Sequence, residues 1–411
     1  MVVGVRDLPD DLTKDIIGQL SDPKSLCRFK SVSKSWCSLI SEIKGAVLVF
    51  VGVARHTADT VYSADLDCST SSLTEHPVPD VILEGGNLSI RGTCNGLIVF
   101  KTGETFFIWS KFIGDFQVIT SKPRCYAHGD WDEFGRTEVV LYGFGYDSVN
   151  EDYKLVDIMG FHHGRKIKVS TYSFRNNTWS RRSPLITDKT SPPTPYFDIG
   201  ACGCSQTQGV LVGSVLNWVA YRDSRFNTPP FIFAFNLTTE EFHEIELPEI
   251  DTASVLGVLE GCLTVTHPKE NHSSKSVELD IWVMKEYMVK ESWTLAFRIL
   301  VSNRGRLHMD HYRRDYRRMR PLAAASSRNG NTKILLASGS LLLWYDPEND
   351  KLDAASLDIE DKNIRETIIC FWPTTYVVDW QSISRFLSSN REEESIWKRK
   401  GPLAFCRATQ N

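Results

Sequence analysis

The sequence predicts a mainly β protein with a small N-terminal α unit, the β part closing on itself as a kelch-like propeller of about six blades. Three observations carry this reading. Apolar residues recur at helical spacing only near the N-terminus, within residues 8–43. From Lys44-Gly45 onward the pattern becomes that of apolar strands broken by glycine-marked turns. An aromatic strand running into a turn then returns along the chain roughly every 50–60 residues, close to a kelch-type repeat.

The helical unit reads as three short helices. Asp10 and Asp11 follow Leu8-Pro9 where acidic side chains suit a helix N-terminus. Leu12, Ile16, Ile17 and Leu20 share one face. Asp22-Pro23 opens a second helix, an N-cap before a first-turn proline, with Leu26 and Phe29 along it. Ser31 or Ser33 caps a third, which carries Val32, Trp36, Leu39, Ile40 and Ile43. A unit of roughly 40 residues is at the lower limit of independent folding. Its apolar surplus finishes its core on another molecule, or on the rest of this chain.

The repeat is easiest to follow in its third strand and turn. This element appears at Val61-Tyr62, Phe107-Ile108-Trp109, Thr171-Tyr172-Ser173-Phe174, Ile232-Phe233-Ala234-Phe235, Asp280-Ile281-Trp282 and Leu343-Trp344-Tyr345-Asp346. Glycine-marked hairpins precede several of these, at Asn95-Gly96, Gly209 to Gly213 and Glu260-Gly261. One such sheet cannot bury both faces, whereas sheets packed radially bury one another. A ring of this kind must close. Residues 46–53 and 368–380 are apolar strands placed to complete one shared blade. A β-sandwich with insertions is the competing architecture.

Composition excludes several functions. The apolar fraction of 42% and charged fraction of 24% are those of an ordinary globular protein. A net charge of −4 gives no overall pull toward nucleic acid or anionic lipid. No apolar run reaches about 18 residues, so no membrane insertion is expected. The stretch before the helices is too short for a signal peptide. The ten cysteines are scattered, with Cys202-Gly203-Cys204 the only close pair, and read as reduced thiols. The expected location is cytoplasmic, nuclear or both.

No constellation for chemistry stands out. A phosphate loop needs a helix after its glycines, but Gly143-x-Gly145 has strand-like sequence on both sides and reads as a hairpin glycine pair. His162-His163 with Asp157 lacks further metal ligands at useful spacing. Glu240-Glu241 and Asp132-Glu133 are acidic pairs in polar turns, with nothing to set them across a substrate. No catalytic residue, metal or cofactor is expected. An enzyme on a propeller is the competing class and would need such a cluster. The exceptional segment is residues 303–320, with seven arginines among its eighteen residues. Arg313, Arg314, Tyr316, Arg317 and Arg318 form its densest part. It reads as a solvated inter-blade loop or as a recognition loop for an acidic target surface. Nucleic-acid binding fits the acidic overall balance least well.

Particular residues carry a resemblance. Leu8-Pro9-x-x-Leu12, Ile16-Ile17, Lys24-Ser25-Leu26-x-Arg28-Phe29-Lys30 and Val32-x-Lys34-x-Trp36-x-x-Leu39-Ile40 resemble the F-box. The loop before Lys24 is one residue longer than usual, and Ser33 replaces the usual cysteine. Gly143-Phe144-Gly145-Tyr146-Asp147-Ser148, Asp152-Tyr153-Lys154-Leu155-Val156, Asn95-Gly96-Leu97 and Ile281-Trp282-Val283-Met284 resemble the plant F-box-associated interaction domain. The family's Trp-Asn-Pro-Ser-Thr turn is replaced by Trp109-Ser110-Lys111-Phe112-Ile113. Within that family the sequence is most similar to members that restrain defence signalling, the constitutive-expresser-of-pathogenesis-related-genes type, and more distantly to S-locus F-box proteins.

The resemblance implies a substrate-recognition subunit of an SCF ubiquitin ligase, itself non-catalytic. Residues 1–44 would be the F-box, 45–381 the substrate-binding propeller and 382–411 a charged tail. Leu8, Pro9, Leu12, Ile16, Leu20, Leu26, Phe29, Val32, Trp36, Leu39 and Ile40 would bind a Skp-type adaptor and, through it, a cullin. The propeller would bind an unidentified protein target, an immune receptor among the candidates. A non-ligase scaffold is the alternative.

Overall fold

The computed structural model describes residues 44–54, 57–65, 73–78, 82, 88–103, 105–110, 117–119, 139–160, 166–186, 208–221, 229–250, 255–271, 276–301, 319–326, 332–338, 341–354 and 368–377. Blade 1 holds β1 (Lys44–Ala54), β2 (Thr57–Asp65) and β3 (Leu73–Pro77). Blade 2 is β4 (Ser89–Cys94), β5 (Leu97–Thr102), β6 (Thr105–Ser110) and β7 (Gln117–Ile119). Blade 3 is β8 (Val139–Asp147), β9 (Asp152–Gly160), β10 (Lys166–Ser173) and β11 (Thr178–Ile186). Blade 4 is β12 (Val210–Val212), β13 (Val215–Ala220), β14 (Phe231–Asn236) and β15 (Phe242–Glu246). Blade 5 is β16 (Val255–Leu259), β17 (Cys262–Asn271), β18 (Ser276–Met284) and β19 (Trp293–Val301). Blade 6 is β20 (Arg320–Ser326), β21 (Thr332–Ser338), β22 (Leu341–Asp346) and β23 (Lys351–Ala354). The last strand, β24 (Ile368–Val377), returns to blade 1.

Each blade is a four-stranded antiparallel sheet. In blade 1 the order is β24-β1-β2-β3, so the first and last of the described strands share a sheet. Their register runs from Lys44 opposite Val377 to Gly52 opposite Ile368. The inner strands then touch around a full circuit: β24 meets β4, β4 meets β8, β8 meets β12, β12 meets β16, β16 meets β20, and β20 meets β24. That is a closed ring of six blades, and it excludes the sandwich. The sequence elements expected as third strands fall in β2, β6, β10, β14, β18 and β22, the third strand of each sheet.

Local chemistry explains the elements. The middle strand β14 (FIFAFN) is buried at its first five residues because a blade lies on either side. The β4–β5 turn has Asn95 at φ 49° and Gly96 at φ 77°, and the β16–β17 turn has Glu260 at φ 51° and Gly261 at φ 79°. Two successive left-handed residues suit the twist of a tight hairpin, which glycine accepts without strain.

Between blades 2 and 3 the core is rich in aromatic side chains, and between blades 5 and 6 it is mostly aliphatic. Phe144 of β8 is 1% exposed. It stacks on Tyr153 at 5.7 Å and meets Phe174 edge-on at 5.5 Å, in the cluster joining blades 2 and 3. Leu216, Trp218 and Phe233 of blade 4 meet Val156 and Ile158 of blade 3 in the next cluster. Glycine lets the inner strands approach. A Cβ on Gly92 would lie 2.5 Å from Phe144 Cβ and 2.9 Å from its backbone nitrogen.

The glycine pair of β8 departs from expectation. Gly143 and Gly145 are not turn residues; they lie within the strand, ahead of the turn at residues 148–151. A Cβ on Gly143 would meet Leu216 Cδ1 at 2.4 Å, and one on Gly145 would meet Leu211 Cδ1 at 2.6 Å. Their role is to admit the side chains of blade 4.

Two outcomes test this architecture. Deleting residues 368–411 strips β1 of β24, leaving it an edge strand paired to β2 alone, and should yield aggregated or multimeric protein on gel filtration, because an apolar edge is exposed; a soluble monomer with an unchanged melting temperature would rule out the ring. Gly92→Ala should lower stability by about 1–3 kcal/mol in denaturant titration, because overpacking here pushes on backbone.

Candidate functional site

The residues expected to bind the adaptor, from Leu8 to Ile40, lie outside the described residues, as do Arg313, Arg314, Tyr316, Arg317 and Arg318. So do His162, His163, Asp132, Glu133, Cys202 and Cys204. The arginine-rich run ends differently from a loop: Met319 is fully buried in the blade 5–6 core and Arg320 begins β20. Glu240 does sit in a turn, between β14 and β15, at φ 56°. Asp157 lies in β9 opposite Tyr142. Among the described residues, no cluster of three or more His, Cys, Asp or Glu could hold a metal, and no helix is long and apolar enough to cross a membrane.

The structure instead brings together a polar site that the sequence reasoning left without a role. It starts at the β8–β9 turn. Asp147 Oδ1 accepts the N–H groups of Val149 at 3.1 Å and Asn150 at 3.2 Å, and Asn150 Nδ2 donates to Oδ2 at 2.7 Å. This closes the turn from inside. Asp346 repeats the device between β22 and β23, accepting from Glu348 N, Asn349 N and Asn349 Nδ2. The shared Asp-x-x-Asn spacing was the signal available in the sequence.

Asp147 then reaches into blade 4. Thr238 Oγ1 donates to its Oδ1 at 2.7 Å. Lys154 Nζ lies 3.1 Å from Asp147 Oδ2 and 3.5 Å from Glu240 Oε1, and donates to the Leu237 carbonyl at 2.6 Å. A buried ammonium is costly unless its hydrogens find acceptors, and here they do. Burial of Asp147 opposes ionisation, but hydrogen bonds from Asn150, Thr238 and Lys154 outweigh it and hold the carboxyl down at about 2.

Beside this latch lies a crevice of about 520 Å3. β9 contributes Asp152 and Lys154, β10 Thr171 and Ser173, and β11 Thr178 and Ser180. The turns add Asn150, Arg175 and Asn176, and Glu240 faces them from blade 4. Asp152 is buried; it accepts Ser173 Oγ at 2.6 Å and the Arg175 N–H at 2.8 Å. Burial pushes its carboxyl up, against those two bonds. Among the described residues, no aromatic side chain lines the crevice.

The molecule is thus a six-bladed propeller with a polar crevice between two blades. It belongs to the F-box associated beta propeller domain family, whose model matches residues 55–321, and an F-box-like model matches residues 5–44. F-box protein CPR1 of Arabidopsis thaliana is 28% identical over 86% of this chain and 85% of its own length. An F-box/kelch-repeat protein of the same plant is 28% identical over 70% of this chain and 78% of its own. Among solved structures, TolB from Acinetobacter baumannii aligns over 84% of this chain and 71% of its own at 9% identity, with a TM-score of 0.41, too distant to add to the strand pairing. The pairing of an F-box with this propeller supports a substrate-recognition role in an SCF complex, and F-box proteins of this kind are generally non-catalytic adaptors.

The latch makes a pH prediction. The carboxyl of Asp147 sits lower in the folded state than its ordinary value of 3.8. Its bonds therefore add stability above about pH 4, and that share is lost as pH falls toward about 2. Asp147→Asn should be less stable than wild type at pH 7 in chemical denaturation. The gap should narrow between about pH 4 and about pH 2; a gap independent of pH would show that the charge is not what holds the turn.

Proposed function

We propose that this protein is the substrate-recognition subunit of an SCF ubiquitin ligase. Its F-box docks on a Skp-type adaptor and, through it, a cullin. Its propeller holds a target protein for ubiquitination and proteasomal degradation, with plant defence as the setting and an immune receptor as one candidate target. The observation that carries this is the order of the two matched domains, an F-box-like segment at 5–44 directly ahead of the propeller. The protein contributes no covalent chemistry; it works by holding a target lysine where the conjugating partner can reach it, which is catalysis by proximity. Its place of action is cytoplasmic or nuclear.

The domain boundaries that accompany this reading are 1–44, 45–381 and 382–411. Adaptor binding is assigned to the apolar residues from Leu8 to Ile40. Target capture is assigned to the propeller, with Arg313, Arg314, Tyr316, Arg317 and Arg318 as one set of candidate contacts, between β19 and β20 in the chain.

The combined substitution Leu8→Ala, Pro9→Ala should abolish adaptor binding and leave the propeller folded, because truncating a buried interface anchor costs about 2 kcal/mol or more. Calorimetry with purified adaptor, beside circular dichroism, checks this. Unchanged adaptor affinity in the double variant would count decisively against the ligase reading.

A further inference from the structure

The crevice between blades 3 and 4 has an uneven set of leftover hydrogen-bonding groups. Its acids are engaged: Asp147 and Glu240 by Lys154, and Asp152 by Ser173 and the Arg175 N–H. Register sets Thr178 opposite Ser173 and Ser180 opposite Thr171, so the four hydroxyls face the same way. Ser173 and Ser180 donate within the blade, to Asp152 and to the Thr171 carbonyl. Arg175 is exposed, and its guanidinium meets the Asn150 carbonyl through Nη1 at 2.8 Å. It forms no ion pair among the described residues. The uncommitted groups are the rest of the Arg175 fork, which can only donate, and the Asn176 side-chain amide with the hydroxyls of Thr171 and Thr178, which can donate as well as accept.

We propose that this crevice docks an extended, anionic peptide segment of the target. A carboxylate or phosphate on that segment meets Arg175, and its main-chain carbonyls meet Thr171, Thr178 and Asn176. This rests on the reading that the propeller captures a target protein. A volume of about 520 Å3 is within the range of small-ligand sites and takes a short stretch of chain. An extended peptide offers carbonyl acceptors at regular spacing, matching walls built from alternate strand residues. A sugar would call for an aromatic platform, and none lines the crevice among the described residues. Nucleic acid would call for several cations along a track, and among the described residues Arg175 is the one cation beside the engaged Lys154. Arginine also suits the anion, since its planar fork binds carboxylate and phosphate through paired bonds.

The test uses the full chain and dye-labelled synthetic peptides of glycine, serine and threonine with one central residue varied: Glu, phosphoserine, Gln or Lys. Anisotropy should show the Glu or the phosphoserine peptide binding about tenfold tighter than the Lys peptide. The tighter of the two anions identifies the source of the charge. Arg175→Gln should bring Glu and Gln peptides within about twofold of each other, and Ser180→Trp, which fills the crevice, should abolish binding. Arg175 is exposed, so its variant remains informative even if Ser180→Trp fails to fold. Equal affinity across the four peptides, no detectable binding, or an anion preference that survives Arg175→Gln would overturn the proposal. Adaptor binding is measured on the same preparations: its failure counts against the ligase reading alone, and failure of the peptide preference counts against the crevice alone.

Discussion

The pairing of β1 with β24 is the contact on which the other blades depend. A blade is apolar on both faces, so each needs two neighbours. Remove one strand from the closing sheet and blades 2 and 6 both lose part of a partner, since β24 is the strand that touches β4 and β20. The contact also joins the two ends of the described chain, Lys44 opposite Val377. Such a contact is made against the largest loop-closure entropy available to the fold. The shorter hairpins within blades 2 to 6 form at far smaller cost. Closure therefore carries the largest entropic cost of any pairing in the ring, and it joins the blades into one continuous body.

Within the ring, two kinds of inter-blade contact do different work. Apolar packing supplies most of the stability: a fully buried aromatic such as Phe144 or Trp218 gains about 25 cal/mol for each Å2 removed from water. Glycine makes that packing possible at Gly92, Gly143 and Gly145, where a neighbouring blade fills the space of a side chain. The Lys154 latch is another matter. Taking an ammonium and a carboxylate out of water costs several kcal/mol each, and their attraction roughly offsets it. Its contribution is to alignment: Lys154 meets the Leu237 carbonyl and Asp147 meets Thr238 in only one setting of blade 4 against blade 3.

What the sequence disclosed, and what it hid, follows from the range of each interaction. Aromatic strands such as Ile232 to Phe235 and turns such as Asn95-Gly96 declare themselves locally, because propensity and positive φ belong to the residues concerned. The closing strands were legible for a different reason: an unpartnered apolar strand at either end of a repeat has to be paired. Gly143 and Gly145 were misplaced because their meaning lies across the blade interface, in Leu216 and Leu211. The crevice was invisible for the same reason. Lys154 finds its carbonyl 83 positions away and Asp147 finds Thr238 91 positions away, and no local pattern records either meeting.

If the protein acts as proposed, by holding a target, the latch and the crevice bear on how firmly it does so. An adaptor that works by proximity gains only if the held lysine is kept within a small volume, and any slack between the two binding ends dilutes that effect. Closure addresses this at the scale of the whole ring, because the strand that follows the F-box segment, β1, is paired on both sides, to β24 and to β2. The crevice addresses it at the scale of a few side chains. Asp152, Ser173 and Asn176 are already tied to one another before anything binds. The walls are thus ordered in advance, and an incoming segment need not carry the entropy cost of arranging them. On the proposed reading, a modest number of hydrogen bonds on a rigid wall holds a target as firmly as a larger set on a mobile loop.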